Sequence, residues 1–352
     1  MPDWTKSMKQ TYEYYVVDPN TWKNIEKLRT VKRCVINRDS TVDTLGSVSL
    51  DMTGIIDECY VRAYLIVDQN GAVESFPLAT FLIQTDSYDL YGKNKSVSID
   101  AYTPLIELKE KNPEMGYSIL KDENILDRAY RICRESTRAP VVKVEDETTL
   151  YSNFVSNNDD SILSFSRDLL AKAKYGLGLD EMGRVLFAPS QKTASLQPVF
   201  TFDDGNSSIL YPEISLEQDM YGIPNVVEVT YSDAKNCYHA RVVNDNVNSP
   251  VSTINRGREI VHRVINPDLQ GIPSDEQIQN YAKDLMKELS TLERTVTYTH
   301  GYCPVRVGDC VRLNYERADL KNVKARVISQ SIRCEPGCPV TEKAVFIDEL
   351  WR

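Results

Sequence analysis

Apolar and polar residues alternate with a period of two over 47–52: Val48, Leu50 and Met52 fall on one side, Ser47, Ser49 and Asp51 on the other. A pleated strand sends successive side chains to opposite faces, so this run predicts a half-buried β-strand. Cys59, Val61, Ala63, Leu65 and Val67 repeat the pattern. Asp68-Gln69-Asn70-Gly71 then supplies residues that tolerate positive φ, which predicts a hairpin into the next apolar run. Further strands are predicted over 78–84 and 96–102, where Val97, Ile99 and Ala101 face together. Short strands joined by turns, within residues 1–110, predict a first β-barrel or sandwich domain.

The period changes over 111–205. Ile125, Leu126, Ala129, Ile132 and Cys133 recur at helical spacing with Pro140 beyond them, which predicts a helix near 123–135. A second helix is predicted near 160–174: Asp160 stands where a cap is needed, and Ile162, Leu163, Ser166, Leu169, Leu170 and Ala173 form one stripe. After Gly176, residues 177–187 read as two short strands about a glycine turn. These elements predict a small mixed α/β domain, helix plus hairpin. Residues 189–205, rich in Ser, Thr, Gln, Asp and Gly, read as its connection onward.

A second β-barrel domain is predicted over 206–352. Ile223-Pro224-Asn225 introduces the apolar run Val226, Val227, Val229, and strands follow near 238–243, 259–264, 295–300, 309–315, 325–332 and 343–350. Inserted among them is a helix near 275–291. Ser274-Asp275-Glu276-Gln277 is a capping box, followed by the stripe Ile278, Tyr281, Ala282, Leu285 and Leu289. The fold class is therefore mainly β with α+β insertions.

Composition narrows the function classes. The chain has 41 basic and 51 acidic residues, a net charge of −10, which repels a phosphate backbone and argues against a nucleic-acid gripping surface. It suits a wall past which DNA slides. No apolar run of about 18 residues is present, so no stable membrane insertion is expected. Met1-Pro2-Asp3-Trp4 opens without the basic and apolar regions of a secretion signal, and synthesis and first assembly in the cytoplasm are expected.

Residues that could carry chemistry are scattered. Eight cysteines are too few for a disulfide scaffold of this size and are read as reduced thiols. Cys334 and Cys338 flank a turn at a spacing that suits zinc, but six residues separate Cys303 from Cys310 and no His is well placed, so buried or turn cysteines are the plainer reading. His239, His262 and His300 nominate no base. Asp159 and Asp160, adjacent at a helix start, point to capping rather than to a glycosidase pair. The 20 tyrosines are dispersed, as suits subunit interfaces. No catalytic, cofactor-binding or metal site and no cofactor is predicted, and the chain is not expected to be an enzyme.

Several segments, in order, resemble one family. Ile223-Pro224-Asn225-Val226-Val227-Glu228-Val229, Asn248-Ser249-Pro250-Val251-Ser252, Arg256-Gly257-Arg258, the capped helix and Pro304-Val305-Arg306-Val307-Gly308-Asp309-Cys310-Val311-Arg312-Leu313 resemble the C-terminal half of bacteriophage baseplate or tail-tip hub proteins. Asp159-Asp160-Ser161-Ile162-Leu163-Ser164-Phe165 and Leu179-Asp180-Glu181-Met182-Gly183-Arg184-Val185-Leu186-Phe187 are similar to the small middle domain of those proteins. Cys34-Val35-Ile36-Asn37-Arg38-Asp39 with Thr44-Leu45-Gly46-Ser47-Val48 resembles their first barrel. The resemblance implies two barrels like tail-tube modules flanking the mixed domain. It also implies a homotrimer whose six barrels match a sixfold tube. Partners would be the tail tube or distal tail protein, the tape-measure protein and a central spike, fibre or tip protein, in a virion tail tip assembled in the host bacterial cytoplasm. DNA would pass through the lumen unbound during ejection. The competing classes are a cell-wall-degrading enzyme, which needs a carboxylate pair or a Cys and His constellation, and a glycan-binding module, which needs aromatics on one exposed face.

Overall fold

The first strands follow the alternation read from the sequence. In this computed structural model every residue is described except 1, 55, 92–93, 192, 206–207, 234, 268–272 and 351–352. The boundary expected at 205/206 therefore lies outside the described residues. β1 (Lys9–Val17), β2 (Asn24–Leu28), β3 (Val31–Asp39), β4 (Gly46–Met52), β5 (Cys59–Gln69), β6 (Ala72–Tyr91) and β7 (Asn94–Tyr102) run in chain order. Val48, Leu50, Met52, Val61, Ala63, Leu65, Val67, Val97, Ile99 and Ala101 all enter one buried cluster. Burying each large aliphatic side chain stabilises by roughly 1.5–3 kcal/mol. The β5–β6 hairpin turns on Asn70 (φ 55°) and Gly71 (φ 83°), with Gln69 opposite Ala72. Positive φ at both central residues matches the twist of the two strands.

The middle segment contains α1 (Ile106–Glu110), β8 (Ser118–Ile119), α2 (Ile125–Arg134), β9 (Phe154–Val155), α3 (Ile162–Lys172), β10 (Tyr175–Leu179) and β11 (Val185–Pro189). Its apolar stripes meet in a second cluster that includes Ala129, Cys133, Phe165 and Leu169. Asn124 caps α2 by accepting from the Asp127 amide. α3 is capped by Ser161 and not by Asp160: the Ser164 amide donates to Ser161 Oγ at 3.1 Å, and the Ser161 amide donates to Ser164 Oγ at 3.0 Å. Asp160 stands one residue too early and accepts from the Asn157 amide at 2.7 Å.

The remaining elements are β12 (Pro198–Asp203), β13 (Leu210–Gln218), β14 (Val226–Ser232), β15 (Cys237–Val243), α4 (Thr253–Arg256), β16 (Val261–Ile265), α5 (Asp275–Leu289), β17 (Thr291–Gly301), β18 (Cys310–Tyr315), β19 (Leu320–Arg333) and β20 (Pro339–Glu349). β12 corrects the reading of 189–205 as connection alone. It pairs in parallel with β18, and its Phe202 is buried against the Tyr298 and His300 rings at 5.3 and 4.5 Å.

Two units divide the chain. One comprises Met1–Ile214 with Tyr298–Ala344, the other Ser215–Thr297 with Val345–Arg352. The large sheet has the strand order β13-β17-β20-β19-β3-β4-β7-β6-β5-β1-β2, with β18 joined to β19 and β12 to β18. Among the described residues this path does not close into a barrel. In the second unit β15-β14-β16 form a separate sheet, antiparallel on one side of β14 and parallel on the other. Ile278, Ala282 and Met286 of α5 pack on Val227, Val229 and Ala240. Ser274 and Gln277 form the capping box of α5. Strands after 206 thus divide: β14–β16 take α5 as their cover, while β18 and β19 join the strands of the N-terminal segment.

Candidate functional site

The junction of β3 with β19 brings together residues about three hundred positions apart. Ser329–Arg333 run antiparallel to Val35–Asp39, with Ile332 opposite Ile36. Side chains reinforce the ladder: Ser331 Oγ donates to Asn37 Oδ1 at 2.8 Å, and Arg38 donates to Gln330 Oε1 at 3.1 Å. The Ser40 amide and hydroxyl both donate to the Ile328 carbonyl at 2.9 Å, and Tyr12 Oη donates to the Glu335 carbonyl at 2.7 Å. Ile332, Cys338 and Val340 enter the same buried cluster as Cys34 and Ile36. The seam is therefore continuous both as a hydrogen-bonded ladder and as a core.

The β10–β11 turn fastens onto this sheet. Gly183, at φ 75°, sits where an added Cβ would fall 2.8 Å from Thr80 Cβ, so the turn requires glycine for both conformation and space. That proximity lets the Met182 carbonyl accept from Trp22 Nε1 at 2.6 Å and from Arg62 at 3.1 Å. Arg62, only 1% exposed, also donates to Thr80 Oγ1 at 2.8 Å and to Asn24 Oδ1 at 3.0 Å. Glu181 takes Arg306 at 2.8 Å and Arg38 at 3.5 Å, one arginine from each side of the seam. A cavity of about 530 Å³ opens beside these groups, lined among others by Arg38, Leu78, Glu181, Leu186, Arg306 and Asp309. Burial raises the Asp309 carboxyl, against the pull of the Arg306 amide that it accepts at 2.8 Å.

Beneath the seam lies a buried ionisable cluster. Glu342 and His300 are both fully buried, with Nε2 3.2 Å from Oε1. Tyr298 Oη donates to Glu342 Oε2 at 2.6 Å, and Gln330 Nε2 donates to Glu342 Oε1 at 2.5 Å and to the Val305 carbonyl at 2.9 Å. Burial by itself would raise the Glu342 carboxyl, but the His300, Tyr298 and Gln330 contacts outweigh it and hold the group below its usual 4.5. His300 Nδ1 faces the Gly301 carbonyl at 2.6 Å, with Cys303 Sγ 3.8 Å away. Sequence reasoning passed over this cluster, yet a signal was present. Val296, Tyr298 and His300 alternate along β17, as Val340, Glu342, Ala344 and Phe346 do along β20, so each polar group occupies an inward position.

The cysteines considered for a metal do not converge. Cys303 lies by His300, Cys310 contacts the Val311 carbonyl, and Cys334 and Cys338 lie with Cys34, Tyr14 and Tyr12. Among the described residues no group of three or more His, Cys, Asp or Glu is placed to hold a metal ion. His239 meets Thr230 at 3.1 Å on an exposed strand, and His262 pairs opposite Val227 in the second unit. The named side-chain donors and acceptors of the seam are directed at one another.

Residues 187–327 match the model of a family described as "Putative phage tail protein". No curated protein matches the chain. The fold is similar to that of a tail protein from Neisseria meningitidis MC58, with 12% identity over 97% of this chain and 98% of that one and a TM-score of 0.62. It is similar also to the 43 kDa tail protein of prophage MuSo2 from Shewanella oneidensis, with 11% identity, 96% and 98% coverage and a TM-score of 0.63. A PdpA–VgrG complex from Francisella matches at 10% identity over 98% of this chain and 58% of that one, TM-score 0.56. The resemblance drawn from the sequence motifs is thus met by a tail-protein family model and by a mainly β fold shared with phage and prophage tail proteins.

Proposed function

We propose that this chain is a structural, non-enzymatic hub of a bacteriophage or phage-derived tail tip or baseplate. In this reading it is a homotrimeric adaptor that joins a sixfold tail tube, or a distal tail protein, to a central spike, fibre or tip. The observation that carries the reading is the β3–β19 seam. It sets the N-terminal strands edge to edge with the C-terminal strands in one hydrogen-bonded sheet within a single chain. Repeating that edge-to-edge relation between chains is what a threefold molecule needs to present six similar positions to a sixfold neighbour. The tail-protein fold and the family match over 187–327 support it.

The tube-like modules are assigned to 1–110 and 206–352 and the mixed domain to 111–205, with the 215–297 segment carried as an insertion within the second module. A net charge of −10 would keep tape-measure protein and DNA from adhering as they pass. No described helix is long and apolar enough to cross a membrane, and the place of action proposed is the virion tail, assembled in the host cytoplasm. Averaged images of the tail particle test this reading. Threefold density of this chain beneath a sixfold tube is expected; its absence from the tail tip, or turnover of peptidoglycan or binding of glycans by the purified chain, would count against it.

A further inference from the structure

Cys34 and Cys334 stand opposite one another at the end of the seam. The register that places Arg333 across from Val35 continues by one residue, and the Cys334 amide donates to the Cys34 carbonyl at 3.0 Å. Residues facing across a hydrogen-bonded antiparallel pair have Cα atoms about 5.5 Å apart. That lies inside the span of about 4.4–6.8 Å that a disulfide bridges. Opposed residues also project to the same face, and here the Cys34, Cys334 and Tyr14 side chains lie together. Both thiols are free; Cys34 is buried and Cys334 is partly open to solvent. Cys338 is buried and turned to Tyr12.

We propose that Cys34 and Cys334 form an oxidation-closed clasp, a disulfide that ties β3 to the residue following β19. The thiolate of Cys334, the more accessible of the two, attacks one sulfur of a small-molecule disulfide such as glutathione disulfide and releases one reduced thiol. The Cys34 thiolate then attacks the Cys334 sulfur of the mixed disulfide and releases the second. One S–S bond breaks in the oxidant and one forms in the protein; the two cysteines give up two electrons and two protons, which the departing thiols carry. The neighbouring Cys34 thiol, then burial, hold the Cys334 thiol well above its usual value, so the thiolate is scarce and closure is slow. Reducing conditions keep the clasp open, and an oxidising environment closes it and prevents the N- and C-terminal strands from parting. The inference does not depend on the hub reading.

The test is to incubate the full chain in glutathione buffers of graded redox ratio, trap remaining thiols with an alkylating agent and map the peptides. The expected result is loss of two of the eight thiols, with the peptide bearing Cys34 joined to that bearing Cys334. Cys34→Ser and Cys334→Ser should each abolish that product, and Cys338→Ser should leave it. The clasp is refuted if all eight cysteines of the wild-type chain remain alkylable after the most oxidising buffer, or if the linked pair contains Cys338. Because the mapping is read on the wild-type chain, a variant that fails to fold does not shield the proposal.

Discussion

Arg62 reaches from the middle of β5 to the Met182 carbonyl in the β10–β11 turn, 3.1 Å away and 120 residues later in the chain. Its guanidinium is buried where two faces of the strand are both covered, and every direction it points in meets an acceptor: Thr80, Asn24, Trp22 or Met182. Arg62→Met keeps the stem and removes those donors. Hydrogen bonds to charged groups are worth about 1.5–3 kcal/mol, and a loss of that size is expected in urea unfolding. Hydrogen exchange over 175–189 should also quicken, since the hairpin loses its anchor; unchanged exchange there would show that the anchor lies elsewhere.

Gly183 and Gly71 separate conformation from crowding. Both have positive φ, but a Cβ at Gly71 meets nothing within 4 Å, whereas at Gly183 it meets Thr80 Cβ at 2.8 Å and Trp22 at 3.0 Å. Gly71→Ala should cost about 1–2 kcal/mol, the left-handed backbone penalty alone. Gly183→Ala should cost about 1–3 kcal/mol more, because the turn is pushed off the sheet. Equal denaturation midpoints for the two variants would contradict the close approach.

Glu342 makes stability depend on acid. Its folded carboxyl is held below the usual 4.5, so its stabilising contribution is fully present above that pH and is lost as the pH falls through the lower folded value. Glu342→Gln removes the titration and the negative charge that accepts from Tyr298 and Gln330. At neutral pH the variant should be less stable by about 1.5–3 kcal/mol, the worth of hydrogen bonds to a charged group. The stability curves of variant and wild type should converge as the pH drops below 4.5, and parallel curves would show that Glu342 is not the titrating group.

What the sequence revealed follows from how far each signal travels along the chain. The Asn70-Gly71 hairpin and the Ser274–Gln277 capping box are local devices, complete within four residues, and the structure contains both. β2 left no pattern because none of its residues is buried; backbone pairing with β1 alone makes it a strand. β12 was hidden by the polar residues around it, and only Phe202 is fully buried. The seam could not be read at all, since nothing local in 35–39 announces that 329–333 will lie alongside. Arg62 was obscured for a related reason. It lies on the outward face of β5 by alternation, and it is enclosed there by Trp22, Asn24 and Thr80 together with Met182 of the middle segment.

The central claim is that this chain works as three copies under a sixfold tube. Mass measurement in solution, with and without the cognate tube or distal tail protein, tests it most directly. The account predicts a species of three 40.0 kDa chains, alone at high concentration or templated by the tube protein. A chain that stays at 40.0 kDa under both conditions and never joins the tube protein would contradict it.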